Sequence, residues 1–164
     1  MAGKNRHLYG DTKPILVQCP GAVSCEAGDF IYKEENVLNQ AYPFDECRAA
    51  TAGTANMEHI HTNFLGISME NSDSGVTEYI TIATAGVFRM PLIHASAVTV
   101  GASMSAVSSV NRATYGVSPH HVANYGDGYA TTAYLGICMK TESGASYVDF
   151  ELVTMLGSGT SLQY

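Results

Sequence analysis

Histidine pairs are the feature of this 164-residue sequence that comes closest to a chemical site. Neutral imidazole is a common ligand of transition metals, and alternate residues of an extended segment share one face. The candidates are His59, His61, His120 and His121. Because two ligands at positions i and i+2 arise readily by chance and the spacing fixes no third, we predict loop histidines with ordinary polar contacts and no metal.

Motifs for covalent and nucleotide chemistry do not occur in the sequence. A nucleophile elbow needs the pattern G-x-S-x-G, and the nearest strings, GISME and GASMS, lack the final glycine. Neither the phosphate-binding pattern G-x-x-x-x-G-K nor the dinucleotide-binding pattern G-x-G-x-x-G is present. We therefore predict that the chain is not an enzyme and carries no cofactor.

Acidic residues cluster in polar segments that are typical of turns. Glu34-Glu35 and Asp45-Glu46 are adjacent pairs, for which solvated charge is the expected role. Asn71 and Asp73 lie in the string ENSDSG, which lacks the spaced carboxylates and the distal glutamate of a calcium loop. We predict a hairpin turn there, because short polar side chains bond their own backbone and glycine tolerates a positive φ.

An internal repeat defines the elements that would position these residues. Residues 64–86 read FLGISMENSDSGVTEYITIATAG, and 70 positions later residues 134–157 read YLGICMKTESGASYVDFELVTMLG. Each copy predicts a strand, a polar turn and a second strand whose apolar residues alternate, such as Ile80 and Ile82 in the first copy. The shared residues are Leu, Gly, Ile and Met, which we interpret as core, so the repeat predicts two related hairpins rather than a chemical site.

The rest of the chain also predicts β structure. A strand pattern recurs about every ten residues, which indicates an all-β fold, a small β-barrel or sandwich with long loops. Residues 43–61 are the best candidate for a helical turn or a long loop. Residues 1–18 show no periodicity at their start and predict an extended N-terminal arm, and residues 19–164 predict a single β-barrel-like domain.

Composition narrows the class of partner. Only 14% of residues are charged against 46% that are hydrophobic, which suits a surface that meets other protein. The net charge of −7 argues against nucleic acid as a partner. We expect no signal peptide, since the first ten residues are polar, and no membrane partner, since no apolar stretch is long enough to span a bilayer.

Tyrosine and cysteine usage adds two further predictions. The sequence has ten tyrosines and no tryptophan, and several tyrosines lie in glycine-rich segments, a combination that protein interfaces favour. We predict that Tyr115, Tyr125 and Tyr129 form an oligomer interface. Cys19 and Cys25 are close enough for a hairpin disulfide, but a chain made in the cytoplasm favours buried free thiols.

The order of these strings resembles the small β-rich decoration, or cement, proteins of tailed-phage capsids. The resemblance rests on GAVSCEAGDFIY, FLGISMENSDSG, ITIATAGVFRMPL, VTVGASMSAV and YLGICMKTESGASYVDFELV, and it covers about residues 21–155. The longer segments PFDECRAATAGTANMEHIH and TYGVSPHHVANYGDGYATT depart from the family pattern. The resemblance implies a homotrimer on capsomer junctions, with an N-terminal arm on the capsid surface and without enzymatic activity.

The resemblance implies a viral structural protein that binds the outer surface of a phage head and stabilises the shell, and the compact β pattern with few charges agrees with it. Its expected partners are the major capsid protein and itself, and its expected location is the virion, after synthesis in the host cytoplasm. The predicted capsid-binding arm residues are Arg6, His7, Leu8, Tyr9, Pro14, Ile15 and Leu16. We expect them to bind by strand addition to a capsid sheet. The alternatives are another virion module, such as a tail-tube or fibre-base domain, and a small metal-dependent enzyme that uses the histidines.

Overall fold

The computed structural model describes residues 6–34, 40–46, 60–92, 98–108, 117–124, 130–140 and 146–154. Within these residues the fold is nearly all β, as the sequence predicts, and contains eleven strands. The strands are β1 (Arg6–Tyr9), β2 (Pro14–Cys19), β3 (Phe30–Lys33), β4 (Ala41–Pro43), β5 (Phe64–Ser68), β6 (Glu78–Ala83), β7 (Val87–Pro91), β8 (Ser103–Ser108), β9 (Val117–Asn124), β10 (Ala130–Lys140) and β11 (Tyr147–Leu152). A short 3-10 helix spans Phe44–Glu46, and residues 60–63 are helical.

The strands form two antiparallel sheets. The six-stranded sheet has the order β1-β7-β11-β10-β8-β9, and the five-stranded sheet has the order β2-β6-β5-β3-β4. One isolated parallel bridge, Gln18 to Gln40, connects the two edges of the five-stranded sheet, and another, Leu92 to Val122, connects β7 with the edge strand β9. The sheets curl without forming a closed barrel, so the structure matches the sandwich form of the predicted fold.

The same arrangement of five strands occurs twice. We call β2–β6 the first unit and β7–β11 the second unit. The order β2-β6-β5-β3-β4 in the first unit repeats as β7-β11-β10-β8-β9 in the second, and β1 is an additional strand on the edge of β7. The two predicted hairpins are the antiparallel pairs β5–β6 and β10–β11. The repeat in the sequence is therefore the most visible part of a longer structural repeat.

A β-bulge interrupts the pairing of β3 with β5 in the first unit. Ile31 lies opposite Gly66, but the next residue, Tyr32, lies opposite Phe64. Leu65 therefore has no partner residue on β3, which bends the strand and increases its local twist.

The second unit has the same interruption between β8 and β10. Met104 lies opposite Gly136, and the next residue, Ser105, lies opposite Tyr134. Leu135 therefore has no partner residue on β8, just as Leu65 has none on β3. The repeated Leu-Gly pair therefore marks a bulge at the same position of both units.

The glycine of each bulge permits a close approach between strands. A Cβ atom on Gly66 would overlap with the carbonyl oxygen of Ala83 on β6, and the φ of Gly66, +152°, also disfavours a side chain. A Cβ atom on Gly136 would overlap with the carbonyl oxygen of Glu151 on β11 and lie within 3 Å of the Phe150 ring. Glycine is repeated because no other residue fits either position.

The larger hydrophobic core contains residues of both units. Phe30, Phe44 and Phe64 of the first unit form an aromatic group whose ring centroids are 5.3 to 6.0 Å apart. The same cluster includes Phe88 and Phe150 of the second unit. Since buried contacts run without interruption from one unit to the other, the two units share one core.

A smaller core lies within the first unit and explains the N-terminal segment. Ile31, Ile80 and Ile82 are buried in it, as the predicted alternation requires, and Ile15 and Val17 of β2 pack partly against it. Residues 6–9 and 14–19, which include half of the predicted arm, are edge strands of the two sheets. The reason is that alternate apolar residues of β2 face the core.

No helix among the described residues has both the length and the apolar character that crossing a membrane requires.

Candidate interaction surface

The structure describes the side-chain contacts of one of the four candidate histidines, His61. The backbone N–H of Tyr134 donates a hydrogen bond to Nδ1 of His61 over 3.1 Å, which links residues 60–63 to β10. His120 and His121 belong to β9, and His59 lies outside the described residues. Within those residues, no group of three potential metal-ligating side chains is found.

The acidic and polar turn residues have local structural contacts. The backbone N–H of Ala27 donates to Oδ1 of Asn71 over 2.7 Å, so this side chain connects the hairpin turn to the preceding loop. The hydroxyl of Tyr32 donates to Oε2 of Glu34 over 3.3 Å. These bonds are those of turns and strand ends, in keeping with the structural role that the sequence indicates.

The residues predicted at interfaces fall into two groups. Tyr115, Tyr125 and Tyr129 lie outside the described residues, so the oligomer interface stays a prediction. The predicted capsid-binding residues are placed in β1 and β2: Arg6, His7, Leu8, Tyr9, Pro14, Ile15 and Leu16. Leu8 and Ile15 are half-buried, whereas His7, Tyr9, Pro14 and Leu16 are exposed. The structure therefore presents this segment as part of two sheet surfaces.

An apolar patch lies on the outer face of the first unit. Leu16 of β2 is directly opposite Thr81 of β6, and the backbone N–H of Met69 donates to the carbonyl oxygen of Thr81 over 2.9 Å. Tyr79 precedes Thr81 by two positions and so points to the same face. Leu16, Tyr79 and Met69 expose 69%, 66% and 43% of their surface, and we call these three residues the apolar patch.

The patch exposes three neighbouring apolar side chains on one face of a sheet. Single exposed apolar residues are ordinary, but neighbouring ones on a flat strand surface mark sites of protein contact. Tyrosine and methionine are also residues that interfaces favour, because one combines an apolar ring with a polar tip and the other adapts its shape. The geometry therefore suits a protein surface rather than a small substrate.

The corresponding face of the second unit carries an ion pair. Asp149 stands 70 positions after Tyr79, and it lies opposite Arg89 as Tyr79 lies opposite Gln18. Nε of Arg89 donates to Oδ1 of Asp149 over 2.7 Å, and a second guanidinium nitrogen donates to Oδ2 over 3.0 Å. Two parallel bonds of this kind fix both side chains. The two units thus have different outer faces on the same strand order.

Two patch residues were not among the predicted site residues. The alternation of β6 was a usable signal for Tyr79, because inward Ile80 and Ile82 require that Tyr79 points outward. Met69 was interpreted as core together with Met139, and both are exposed. Each methionine directly follows the last buried residue of its strand, where the chain turns away from the core.

The structure is that of a β-rich protein with an exposed apolar patch on one sheet. No protein-family model matches the chain, and no curated protein matches it.

Proposed function

We propose that the chain is a capsid decoration protein, which binds the outer surface of a tailed-phage head and stabilises the shell. The observation that carries the proposal is the apolar patch on the outer face of the first unit. Leu16 and Tyr79 expose about two thirds of their surface on a rigid sheet. Covering such side chains against a capsid subunit removes apolar surface from water, which favours binding.

The resemblance of the sequence to decoration proteins supports the same proposal. It concerns the repeated hairpins and the strands between them, which in this chain form two units with one shared core. A rigid β protein whose surface carries few charges is suited to bridging neighbouring subunits of a shell. Its major partner would be the major capsid protein, and its site the outer surface of the virion.

The N-terminal strands suggest how strand addition would occur. β1 is the end strand of the six-stranded sheet and pairs only with β7 among the described strands. A capsid strand would therefore extend the sheet beside β1 and leave the present pairing intact. Arg6, His7 and Tyr9 would lie next to the added strand. Pro14 has no N–H to donate, so the edge of β2 is less suited to the same contact.

Self-association belongs to the same proposal. A homotrimer would place three apolar patches around one axis, and three weak contacts to a shell would then reinforce one another. Tyr115, Tyr125 and Tyr129 remain the residues proposed for the contact between copies. The mass of the free protein in solution tests this part.

Co-sedimentation with empty shells of the phage that encodes the chain tests the proposal. We expect the double variant Leu16→Ser and Tyr79→Ser to fold normally and to lose at least about tenfold in shell affinity, since each lost contact contributes about 1 kcal/mol or more. Val100→Ser is the matched control, because Val100 is 68% exposed on a turn of the second unit. Unchanged occupancy of the double variant would remove the patch from the binding surface.

Images of particles with and without the protein separate head binding from the tail alternative. Negative-stain density on the head supports a decoration protein, whereas density on the tail identifies a tail-tube or fibre-base module.

A further inference from the structure

A groove with a volume of about 440 Å³ lies beside the crossover from β1 to β2. Gly10, Asp11 and Lys13 form one side of the groove as the chain passes from the six-stranded sheet to the five-stranded sheet. Val87, Leu152 and Val153 contribute apolar lining from the sheet. Tyr9, which is 55% exposed, and Met139, which is also exposed, line the groove as well.

The wall of the groove is held by backbone and side-chain hydrogen bonds. The N–H groups of Thr84 and Ala85 donate to the carbonyl oxygen of Thr12 over 2.9 and 3.1 Å. Oγ1 of Thr84 donates to the carbonyl oxygen of Lys13 over 2.8 Å, and Oγ1 of Thr154 donates to that of Thr84 over 2.8 Å. The groove is therefore already formed in the free protein, which reduces the entropy lost on binding.

The backbone around the groove adopts unusual conformations. Gly10 and Gly86 have φ angles of 91° and 112°, which glycine tolerates. Lys13 has a φ of 42°, and among the described residues it is the non-glycine residue in the left-handed region. Such a conformation costs free energy and tends to persist where the surroundings impose a particular shape.

The charges of the groove select the class of ligand. Asp11 and Glu151 contribute two carboxylates and Lys13 contributes one ammonium group, so the lining has a net charge of −1. Oδ1 of Asp11 accepts a hydrogen bond from the backbone N–H of Lys13 over 3.0 Å, which orients that carboxylate. Glu151 is exposed, and among the described residues its side chain has no hydrogen-bond partner.

We propose that this groove binds a single basic side chain, arginine or lysine, from an extended segment of a partner protein. The aliphatic part of such a side chain lies along Met139 and Val153, and its cationic head reaches the carboxylate of Glu151. The ring of Tyr9 adds a cation–π contact. Few other residues combine an apolar stem with a positive head. This inference rests on the groove and is independent of the proposed function.

The first unit offers an internal comparison for this assignment. It has no counterpart of β1, and the strand order of the two units is otherwise the same. The groove therefore depends on β1 and on its crossover to β2, which have no counterpart among the described strands of the first unit.

A pair of five-residue peptides tests the proposal with the full-length protein. One is acetyl-Ala-Ala-Arg-Ala-Ala-amide, and the other carries citrulline, the uncharged isostere, in place of arginine. We expect amide chemical-shift changes at Gly10, Gly86 and Glu151 with the arginine peptide. Its affinity should exceed that of the citrulline peptide by about fivefold, the ratio that corresponds to about 1 kcal/mol for an exposed ion pair.

Three single variants are expected to weaken, strengthen or leave unchanged the affinity for the arginine peptide. Glu151→Gln should weaken binding of the arginine peptide by about threefold to fivefold, and Lys13→Met should strengthen it, because one removes an attractive and the other a repulsive charge. Asp73→Asn, an exposed carboxylate of the first unit, should leave the affinity unchanged. The proposal is overturned if both peptides bind equally, or if the shift changes lie on the acidic first unit instead.

Discussion

The two units of this protein share a strand order but differ at their surfaces. Both have a bulge between corresponding strands and a glycine that no other residue can replace. Residues 14–83, which contain the first unit, have ten acidic and two basic residues, a net charge of −8. Residues 87–152, which contain the second, have four acidic and three basic residues, a net charge of −1. What is kept is the geometry of the sheets, and what varies is the outer face.

This difference indicates where function resides. The first unit exposes the apolar patch, and the second unit places the Arg89–Asp149 ion pair on the corresponding face and adds β1 with its groove. A repeated element that served a chemical site would keep its polar groups. Here the polar groups differ and the strand-packing residues are kept, so the repeat serves the fold and not a chemical site.

The largest effect should come from the bulge glycines. We expect Gly66→Ala and Gly136→Ala each to lower the free energy of unfolding by at least about 3 kcal/mol, because the new Cβ overlaps with a backbone oxygen that cannot move alone. Urea unfolding followed by circular dichroism measures the loss. Similar losses at the two glycines would support the equivalence of the units, and a large loss at only one would break it.

Gly101→Ala is the control for this prediction. Gly101 also has a positive φ, 87°, but no atom lies within 4 Å of the position its Cβ would take. Its substitution should cost only the backbone strain of about 1 to 2 kcal/mol. A loss as large as that of Gly66→Ala would mean that φ, and not close strand approach, explains the glycine of the first unit.

The two hairpins can be predicted from the sequence because the patterns that identify their strands lie within each hairpin. Alternating Ile80 and Ile82 identify a strand and its buried face, and the offset of 70 residues identifies the second copy. The bulges were not predicted, because they depend on which strand pairs with β5 and β10. The placement of β1 and β2 in two different sheets also depends on distant strands, so it does not follow from a terminus without strong periodicity.

Alkaline pH should lower the stability of the protein through a buried thiol of the first unit, Cys25. Burial raises the pKa of Cys25 from 9.0 to about 12, with a smaller effect from the charge of Asp29 in the same direction. The unfolded chain loses this proton first, so the thiol's contribution to stability is complete below pH 9 and is lost between pH 9 and about 12.

The measurement compares the wild type with Cys25→Ala as the pH rises. At pH 11 the stability difference between the two proteins should have changed by about 2 to 3 kcal/mol in favour of the variant. Using the difference cancels the titration of the tyrosines and lysines that both proteins share. A difference that stays constant from pH 8 to pH 11 would contradict the raised pKa.

A smaller effect is expected at the ion pair of the second unit. Asp149→Asn keeps the shape of the side chain and removes the charge that binds Arg89, whose own side chain is 48% exposed. We expect a loss of about 1 kcal/mol in the free energy of unfolding, since solvent reaches the half-exposed Arg89 although Asp149 is buried. The loss should shrink in 1 M salt. A salt-independent loss would indicate that hydrogen-bond geometry, and not charge, stabilises the pair.

The last variant transfers the ion pair of the second unit to the outer face of the first. It should change stability least, and it tests the comparison most directly. Gln18 lies opposite Tyr79 as Arg89 lies opposite Asp149, so Gln18→Arg with Tyr79→Asp transfers the ion pair without altering any buried residue. Since the replaced tyrosine is largely exposed, we expect the free energy of unfolding to stay within about 0.5 kcal/mol. Shell binding should nevertheless fall, because a charged residue replaces the exposed tyrosine of the apolar patch. Retained binding would show that the two faces are interchangeable, and the functional contrast between the units would then have to lie in β1 and its groove.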